Sequence, residues 1–128
     1  MEKPFFTVIT VCYNAGDGVR RAIEALRAQT CGDYQHIIKD GGSTDGSLDS
    51  VRSLTEGDGK TVLISRPDGG IYDAMNQALA LAQGRYIYFL NCGDSFYDSS
   101  VLEDVKRFIE SKSSVDTVNL RENGVLRA

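Results

Sequence analysis

The sequence predicts an open, doubly wound α/β fold: a mostly parallel, Rossmann-like sheet with helices on both faces. Short apolar, β-branched runs alternate along the chain with stretches of helical period. The runs are continuously apolar rather than alternating, as expected of strands covered on both sides. Strand–helix alternation repeated four times points to parallel strands joined by right-handed crossovers. The 128 residues, 41% hydrophobic and 25% charged, fit one domain. A chain of this size buries roughly two-thirds of its unfolded surface and needs no disulfide or metal staple.

Each element follows from its local pattern. Phe5 to Val11 is a β-branched apolar run and reads as the first strand. Val19, Ala22, Ile23 and Leu26 recur at helical spacing until Thr30-Cys31-Gly32. Tyr34 to Lys39 is the second strand, and Leu48, Val51 and Leu54 mark a short helix ended by Gly57-Asp58-Gly59. Thr61 to Ser65 is the third strand. Ile71, Met75, Ala78, Leu79 and Ala82 form a helical stripe expected to stop at Gly84, a residue type common just past a helix end. Arg85 to Leu90 is the fourth strand. Ser100 and Glu103 have capping-box spacing ahead of a helix carrying Val101, Leu102, Val105, Phe108 and Ile109. Val115 to Leu120 reads as a fifth strand, and Asn123-Gly124 as a tight turn into Val125-Leu126.

The net charge is −4. That balance argues against a sequence-independent grip on nucleic acid, which needs a basic face, but permits a nucleotide held by backbone N–H groups and a cation. Cys12, Cys31 and Cys92 are odd in number and widely spaced, so they read as reduced thiols. With neither a signal-peptide pattern nor an apolar run of membrane-spanning length, the expected location is cytoplasmic.

In such sheets ligands bind outside the carboxyl ends of the strands. Tyr13-Asn14 follows the first strand, Asp40-Gly41-Gly42-Ser43-Thr44-Asp45 the second, Arg66-Pro67-Asp68-Gly69-Gly70 the third and Asn91-Cys92-Gly93-Asp94 the fourth. The opposite edge offers only ordinary turns. Any one of these glycines reads equally well as a plain turn residue, or as a place where backbone approaches a ligand. Tyr13 can stack on a base or simply be exposed, and Asp40 can accept hydrogen bonds from a base or ribose or cap a turn. Asp45 reads best as a helix cap. Arg66 suits a phosphate or open solvent. Asp94 suits a hard divalent cation bridging phosphates, or a cap for the helix that follows.

Other motifs fail. Gly16-Asp17-Gly18 begins a dinucleotide fingerprint, but Arg21 stands where its third glycine belongs. Gly59-Lys60-Thr61 precedes a strand, whereas a phosphate-binding loop follows one. His36, the single histidine, lies inside a strand and reads as structural.

Four motifs now run in order: Val8-Ile9-Thr10-Val11-Cys12-Tyr13-Asn14, Ile37-Ile38-Lys39-Asp40-Gly41-Gly42-Ser43-Thr44-Asp45-Gly46, Asp68-Gly69-Gly70-Ile71-Tyr72-Asp73-Ala74-Met75-Asn76, and Gly84 through Asp94. Together they resemble the nucleotide-sugar-binding half of family 2 glycosyltransferases, which have the GT-A fold. The resemblance implies inverting transfer from a nucleoside-diphosphate sugar to a sugar or lipid-linked acceptor, dependent on manganese or magnesium. It matches Tyr13 to the residue that packs on the base, Asp40 to the carboxylate that recognises it, and Gly42-Ser43 to the ribose and phosphate side. Asp94 matches the metal-holding carboxylate, and Asn91 stands where many relatives carry a second acid, offering an amide oxygen. Lys39-Asp40 likewise keeps one acid where a pair is common. Asn14, Arg66, Asp68 and Asp73 complete the expected donor site, and the Gly-Gly-Ile-Tyr-Asp-Ala-Met-Asn run resembles a bacterial branch that builds surface polysaccharides. The resemblance further implies that residues 1–128 are the N-terminal part of a longer domain, with the acceptor region and general base beyond Ala128. A fragment that binds nucleotide without turnover remains the alternative. Peripheral membrane association of the full-length protein, and self-association through an exposed sheet edge, stay open. A nucleotidyltransferase would want a basic glycine-rich loop after the first strand, which Tyr13-Asn14-Ala15-Gly16 does not supply.

Overall fold

The computed structural model describes residues 3–112 and 125–127. Strands β1 (Phe6–Cys12), β2 (Tyr34–Asp40), β3 (Thr61–Ser65) and β4 (Tyr86–Phe89) alternate with helices α1 (Gly18–Arg27), α2 (Ser47–Thr55), α3 (Ile71–Leu79) and α4 (Val101–Ser111), and β5 (Val125–Arg127) follows. The sheet order is β3-β2-β1-β4-β5. β1 pairs in parallel with both β2 and β4, β2 pairs in parallel with β3, and β5 runs antiparallel to β4. The expected strand over Val115–Leu120 and the turn at Asn123-Gly124 lie outside the described residues.

The two faces follow from the period-2 alternation of side chains along each strand. Phe6, Val8, Tyr86 and Tyr88 pack with Ala22 and Leu26 of α1 and with Leu102, Val105 and Ile109 of α4. Ile38 on the same face joins Val19, Ile23 and Val51, bringing in α2. Ile9, Ile37 and Ile87 point the other way, against Ala78 of α3. Three helices thus cover one face and α3 the other, the doubly wound arrangement the sequence predicts.

Register then places the working edge. Cys12 is the partner of Asp40, and Asp40 of Ser65, so the last residues of β1, β2 and β3 form one row. The order of strands reverses direction around β1, and the loops at their carboxyl ends surround this row.

Two local expectations are corrected. The helix expected to run to Gly84 ends at Leu79. Thr7 Oγ1 accepts the Gly84 N–H at 2.8 Å and Gln35 Oε1 accepts the Gln83 N–H at 3.0 Å, so side chains of β1 and β2 capture these amides. Gly84 is needed for close approach instead: a Cβ there would lie 2.5 Å from the backbone of Phe6 and Thr7. The capping box does not close either. Glu103 pairs with Arg107 at 3.3 Å, and Ser100 Oγ lies 2.9 Å from Asp98 Oδ1, the carboxylate oxygen that also accepts the Ser100 N–H.

His36 is buried with Nε2 2.8 Å from Thr10 Oγ1, and burial pushes its pKa down from the ordinary 6.5 to about 4. The unfolded chain therefore binds the extra proton first as pH falls. This group's contribution to stability is intact above pH 6.5 and is lost progressively toward pH 4. As the single histidine, its ring should give one pair of C–H proton NMR resonances whose shifts report a neutral ring down to about pH 5; a midpoint near 6.5 would contradict the burial. Gly84→Ala should cost about 3 kcal/mol or more in urea unfolding, because the methyl group meets backbone that cannot move aside.

Candidate functional site

A cleft of about 670 Å³ opens at the carboxyl edge, lined by Val11, Cys12, Tyr13, Gly41, Gly42, Pro67, Asp68, Gly70, Ile71 and Ala74. Of the expected site residues, Tyr13, Gly42 and Asp68 line it. Tyr13 stands 63% exposed at one wall, with its ring available for stacking.

Asp40 does not face the cleft freely. It is 1% exposed, and Oδ2 accepts the N–H groups of Gly42 and Ser43 at 2.9 Å each and the Ser65 hydroxyl at 2.8 Å. Oδ1 accepts the Ser43 hydroxyl. A carboxylate has about four acceptor positions, and these are taken. Burial alone would raise the Asp40 carboxyl, but the hydrogen bonds from Ser43, Ser65 and Gly42 outweigh it and hold the group below the usual carboxylate range.

Asn14 and Ser43 stitch the first two loops together. The Asn14 N–H donates to Ser43 Oγ at 2.8 Å, and Asn14 Oδ1 accepts the Thr44 N–H at 2.8 Å. Asn14 adopts φ +49°, a left-handed conformation asparagine tolerates. Asp45 accepts the Gly16 N–H at 3.0 Å and the N–H of Ser47, the first residue of α2, but the cap position is Gly46, so Asp45 closes the turn before α2 instead of capping the helix as expected.

Lys39 is the residue the sequence reading passed over. It ends an apolar run, is 0% exposed, and spends its ammonium on Asp40 O at 2.9 Å, Arg66 O at 2.6 Å and Asp68 Oδ2 at 3.0 Å. Asp68 Oδ1 also accepts the Gly70 N–H at 3.1 Å. The Lys39 hydrogen bond comes first among the causes that hold the Asp68 carboxyl below its ordinary range. The only available signal was a lysine directly after Ile37-Ile38, where a buried strand should have no charge without a partner.

Arg66 and Asp73 are linked through Gln77 of α3. Arg66 Nε donates to Gln77 Oε1 at 2.7 Å, while Asp73 Oδ2 accepts the Gly69 N–H at 2.8 Å and Gln77 Nε2 at 3.1 Å. Both side chains are largely open to solvent.

Asn91 and Asp94 stand outside the cleft lining, on the loop after β4. Cys92 Sγ, 3.5 Å from Val11 O, ties that loop to the end of β1. Cys12 sits against Cys92, and this contact, then burial, pushes the Cys12 thiol far up, so it stays protonated and donates to Asp40 Oδ1 at 3.7 Å. Asp94 Oδ2 accepts the Asn91 N–H at 3.2 Å, leaving its carboxylate exposed. Asn91 Oδ1 is buried without a hydrogen-bond partner. An orphaned amide oxygen and an exposed carboxylate on the same short loop are donor types that suit a hard cation bringing phosphate oxygens with it, since such ions are often held by one or two protein groups plus phosphates. Among the described residues no group of three or more His, Cys, Asp or Glu side chains could hold a metal by itself.

Comparison with known proteins agrees with this layout. The model for glycosyl transferase family 2 matches residues 7–125, and the chain belongs to that family. It is 35% identical over 119 residues to a PGL/p-HBAD biosynthesis glycosyltransferase of Mycobacterium bovis, covering 92% of this chain and 46% of that protein. It is 29% identical over 110 residues to the chondroitin synthase of Pasteurella multocida, covering 86% of this chain and 11% of that one. The chain thus spans less than half the length of these relatives. Among solved structures it is similar to S. aureus TarS 1-349 in complex with UDP-GlcNAc, with TM-score 0.76 and 23% identity over 84% of this chain and 32% of that one. It is also similar to the mannosyltransferase PcManGT from Pyrobaculum calidifontis in complex with GDP-Man and Mn2+, with TM-score 0.75 and 21% identity over 85% and 33% of the two chains. The fold is that of the GT-A glycosyltransferases. No helix among the described residues is long and apolar enough to cross a membrane.

Asp40→Asn turns an acceptor toward the Gly42, Ser43 and Ser65 donors into an N–H₂ group. It should lower stability by about 2–3 kcal/mol in urea unfolding. A loss under about 0.5 kcal/mol would show that the carboxylate does not organise the edge.

Proposed function

We propose that this chain is the donor-binding part of an enzyme that transfers a sugar from a nucleoside-diphosphate sugar to an acceptor hydroxyl. The observation that carries the reading is the single cleft into which the loops after β1, β2 and β3 open, in a member of a sugar-transferring family. Tyr13 packs on the base, Gly42 lets the ribose and first phosphate approach the backbone, and Arg66 offers its outer guanidinium N–H groups to the diphosphate. Asn14, Asp40, Ser43 and Asp73 hold the loops that form the cleft walls. Asp94 and the Asn91 amide oxygen would hold a divalent cation, manganese or magnesium, against the diphosphate. Such an ion stabilises charge on the departing group.

The length of the relatives supports residues 1–128 as the N-terminal donor half of a longer domain, in which the remainder supplies the acceptor subsite and the general base. Inversion then follows from direct attack by the acceptor oxygen on the anomeric carbon as the diphosphate leaves. Kinship with a PGL/p-HBAD biosynthesis glycosyltransferase and a chondroitin synthase favours a sugar or lipid-linked acceptor in surface polysaccharide or glycolipid synthesis.

Isothermal titration tests the reading. UDP or GDP should bind about tenfold more tightly with Mn2+ than without it, and Asp94→Asn should erase most of that gain. Tyr13→Ala should weaken binding about tenfold by removing the stacking surface. No metal-dependent binding of either nucleotide would contradict the proposal.

A further inference from the structure

We infer that Cys12 and Cys92 form a modification site, a thiol pair that a small-molecule disulfide oxidises to an internal disulfide, displacing the loop that carries Asn91 and Asp94. The bond itself stands apart from the donor-site reading; its effect on nucleotide binding rests on that reading.

Register brings the two residues together. β1 and β4 pair in parallel with Ile9 opposite Phe89, and the Leu90 N–H extends the ladder to Ile9 O at 2.9 Å. Counting on from Ile9 and Phe89 in the same register sets Cys12 level with Cys92. Adjacent strands run about 4.8 Å apart. That lies inside the span of roughly 4.4–6.8 Å between Cα atoms that a disulfide can bridge. By the alternation of side chains, Cys12 and Cys92 share the face of Val8 and Tyr88, and both pack against the cluster of Val19, Ile23 and Ile38. The two thiols are hydrogen-bonded to each other. Cys31 is buried in a different cluster, with Phe5 and Ala22, and is not part of the pair.

The pair is reachable. Both thiols are half-buried, and Cys12 lines the cleft. The first turn of α1 closes the other side, where a Cβ on Gly18 would lie 3.2 Å from Cys92 Cβ. A small disulfide therefore enters from the cleft. One protein sulfur attacks it and expels the first small thiol; the other attacks the mixed disulfide so formed and expels the second. One S–S bond breaks and one forms, the two cysteines give up two electrons and two protons, and the small disulfide leaves as two thiols.

Bond formation draws the sulfurs closer than hydrogen-bonding distance. β1 is paired on both sides and stays in place, so the loop after β4 has to move. Cys92 Sγ then gives up its contact to Val11 O, which anchors that loop at 3.5 Å. Asn91 and Asp94 flank Cys92, so their oxygens shift with it. Groups that orient cation-holding side chains commonly change metal affinity about tenfold or more when altered.

The test treats the chain with oxidised glutathione, then alkylates it in denaturant and maps it by mass spectrometry. Arg20, Arg27, Lys39 and Arg85 place the three cysteines in separate tryptic peptides. The peptides of Cys12 and Cys92 should be cross-linked within one chain, Cys31 should be alkylated, and dithiothreitol should reverse the link. In titration of UDP or GDP, the oxidised chain should show an Mn2+-dependent gain smaller by about threefold or more than the reduced chain. A Cys12→Ser, Cys92→Ser double variant should bind alike with and without the oxidant; if it does not fold, the mapped link and the wild-type titration decide. The inference is overturned if only mixed disulfides, links between chains or links through Cys31 form. It is equally overturned if the Cys12–Cys92 bond forms and the gain is unchanged. If the reduced chain binds no nucleotide, the donor-site reading fails and with it the effect on binding, while the mapped link still decides whether the thiol pair is a site.

Discussion

At the end of β2 two charges of opposite sign point to opposite faces of the sheet, and the cleft depends on how each is satisfied. The Asp40 carboxylate gathers Gly42, Ser43 and Ser65, and through Ser43 reaches Asn14 in the loop after β1. The Lys39 ammonium gathers the backbone of Arg66 and the carboxylate of Asp68. A buried ion left without its partner is strongly destabilising, commonly by about 3–5 kcal/mol. Neither group can therefore let go of its loop cheaply. The walls of the cleft are set before a ligand arrives, which lowers the ordering cost of binding.

The same arrangement separates groups that hold the site from groups that touch a ligand. Carboxylates in a binding edge look alike in composition, yet Asp40 and Asp45 are largely occupied by N–H and hydroxyl groups of their own or neighbouring loops. Asp68 and Asp94 keep acceptor capacity. The Asn91 and Asp94 corner proposed to hold a cation sits on a different loop from the cleft walls and is anchored to β1 by Cys92. A diphosphate reaching from the cleft toward that loop would join the two. The solved GT-A structures show the fold, and the family model matching residues 7–125 places the chain in glycosyl transferase family 2.

Much of this was legible in the sequence. The first four strands and their parallel pairing followed from apolar runs and crossover rules, and the contrast between the two sheet edges pointed to the edge where the cleft opens. What was not legible depended on competition among neighbours. Gly84 looked like a helix end, but Thr7 and Gln35 on other strands decide where that segment goes. Glu103 had the spacing for a capping box and found Arg107 instead. Asp40 ends a strand at the right edge, and its position there left open a contact to a base or ribose and a cap on a turn. Counting its hydrogen bonds needs the positions of Ser43 and Ser65, which are three and twenty-five residues away. Lys39 was passed over because its partners lie on the loop after β3, distant in sequence and adjacent in space.

The central claim is that the loops at the carboxyl ends of β1 to β4 form one pocket for a nucleoside diphosphate and its cation. Paramagnetic broadening of backbone amide NMR signals by substoichiometric Mn2+ tests it most directly. In the presence of UDP or GDP, the amides of Asn91 to Asp94, then those of Gly42 and Ser43, should broaden first, while Gly32 and Gly84 at the opposite edge stay sharp. Broadening centred on that opposite edge, or the same pattern with and without nucleotide, would contradict the account.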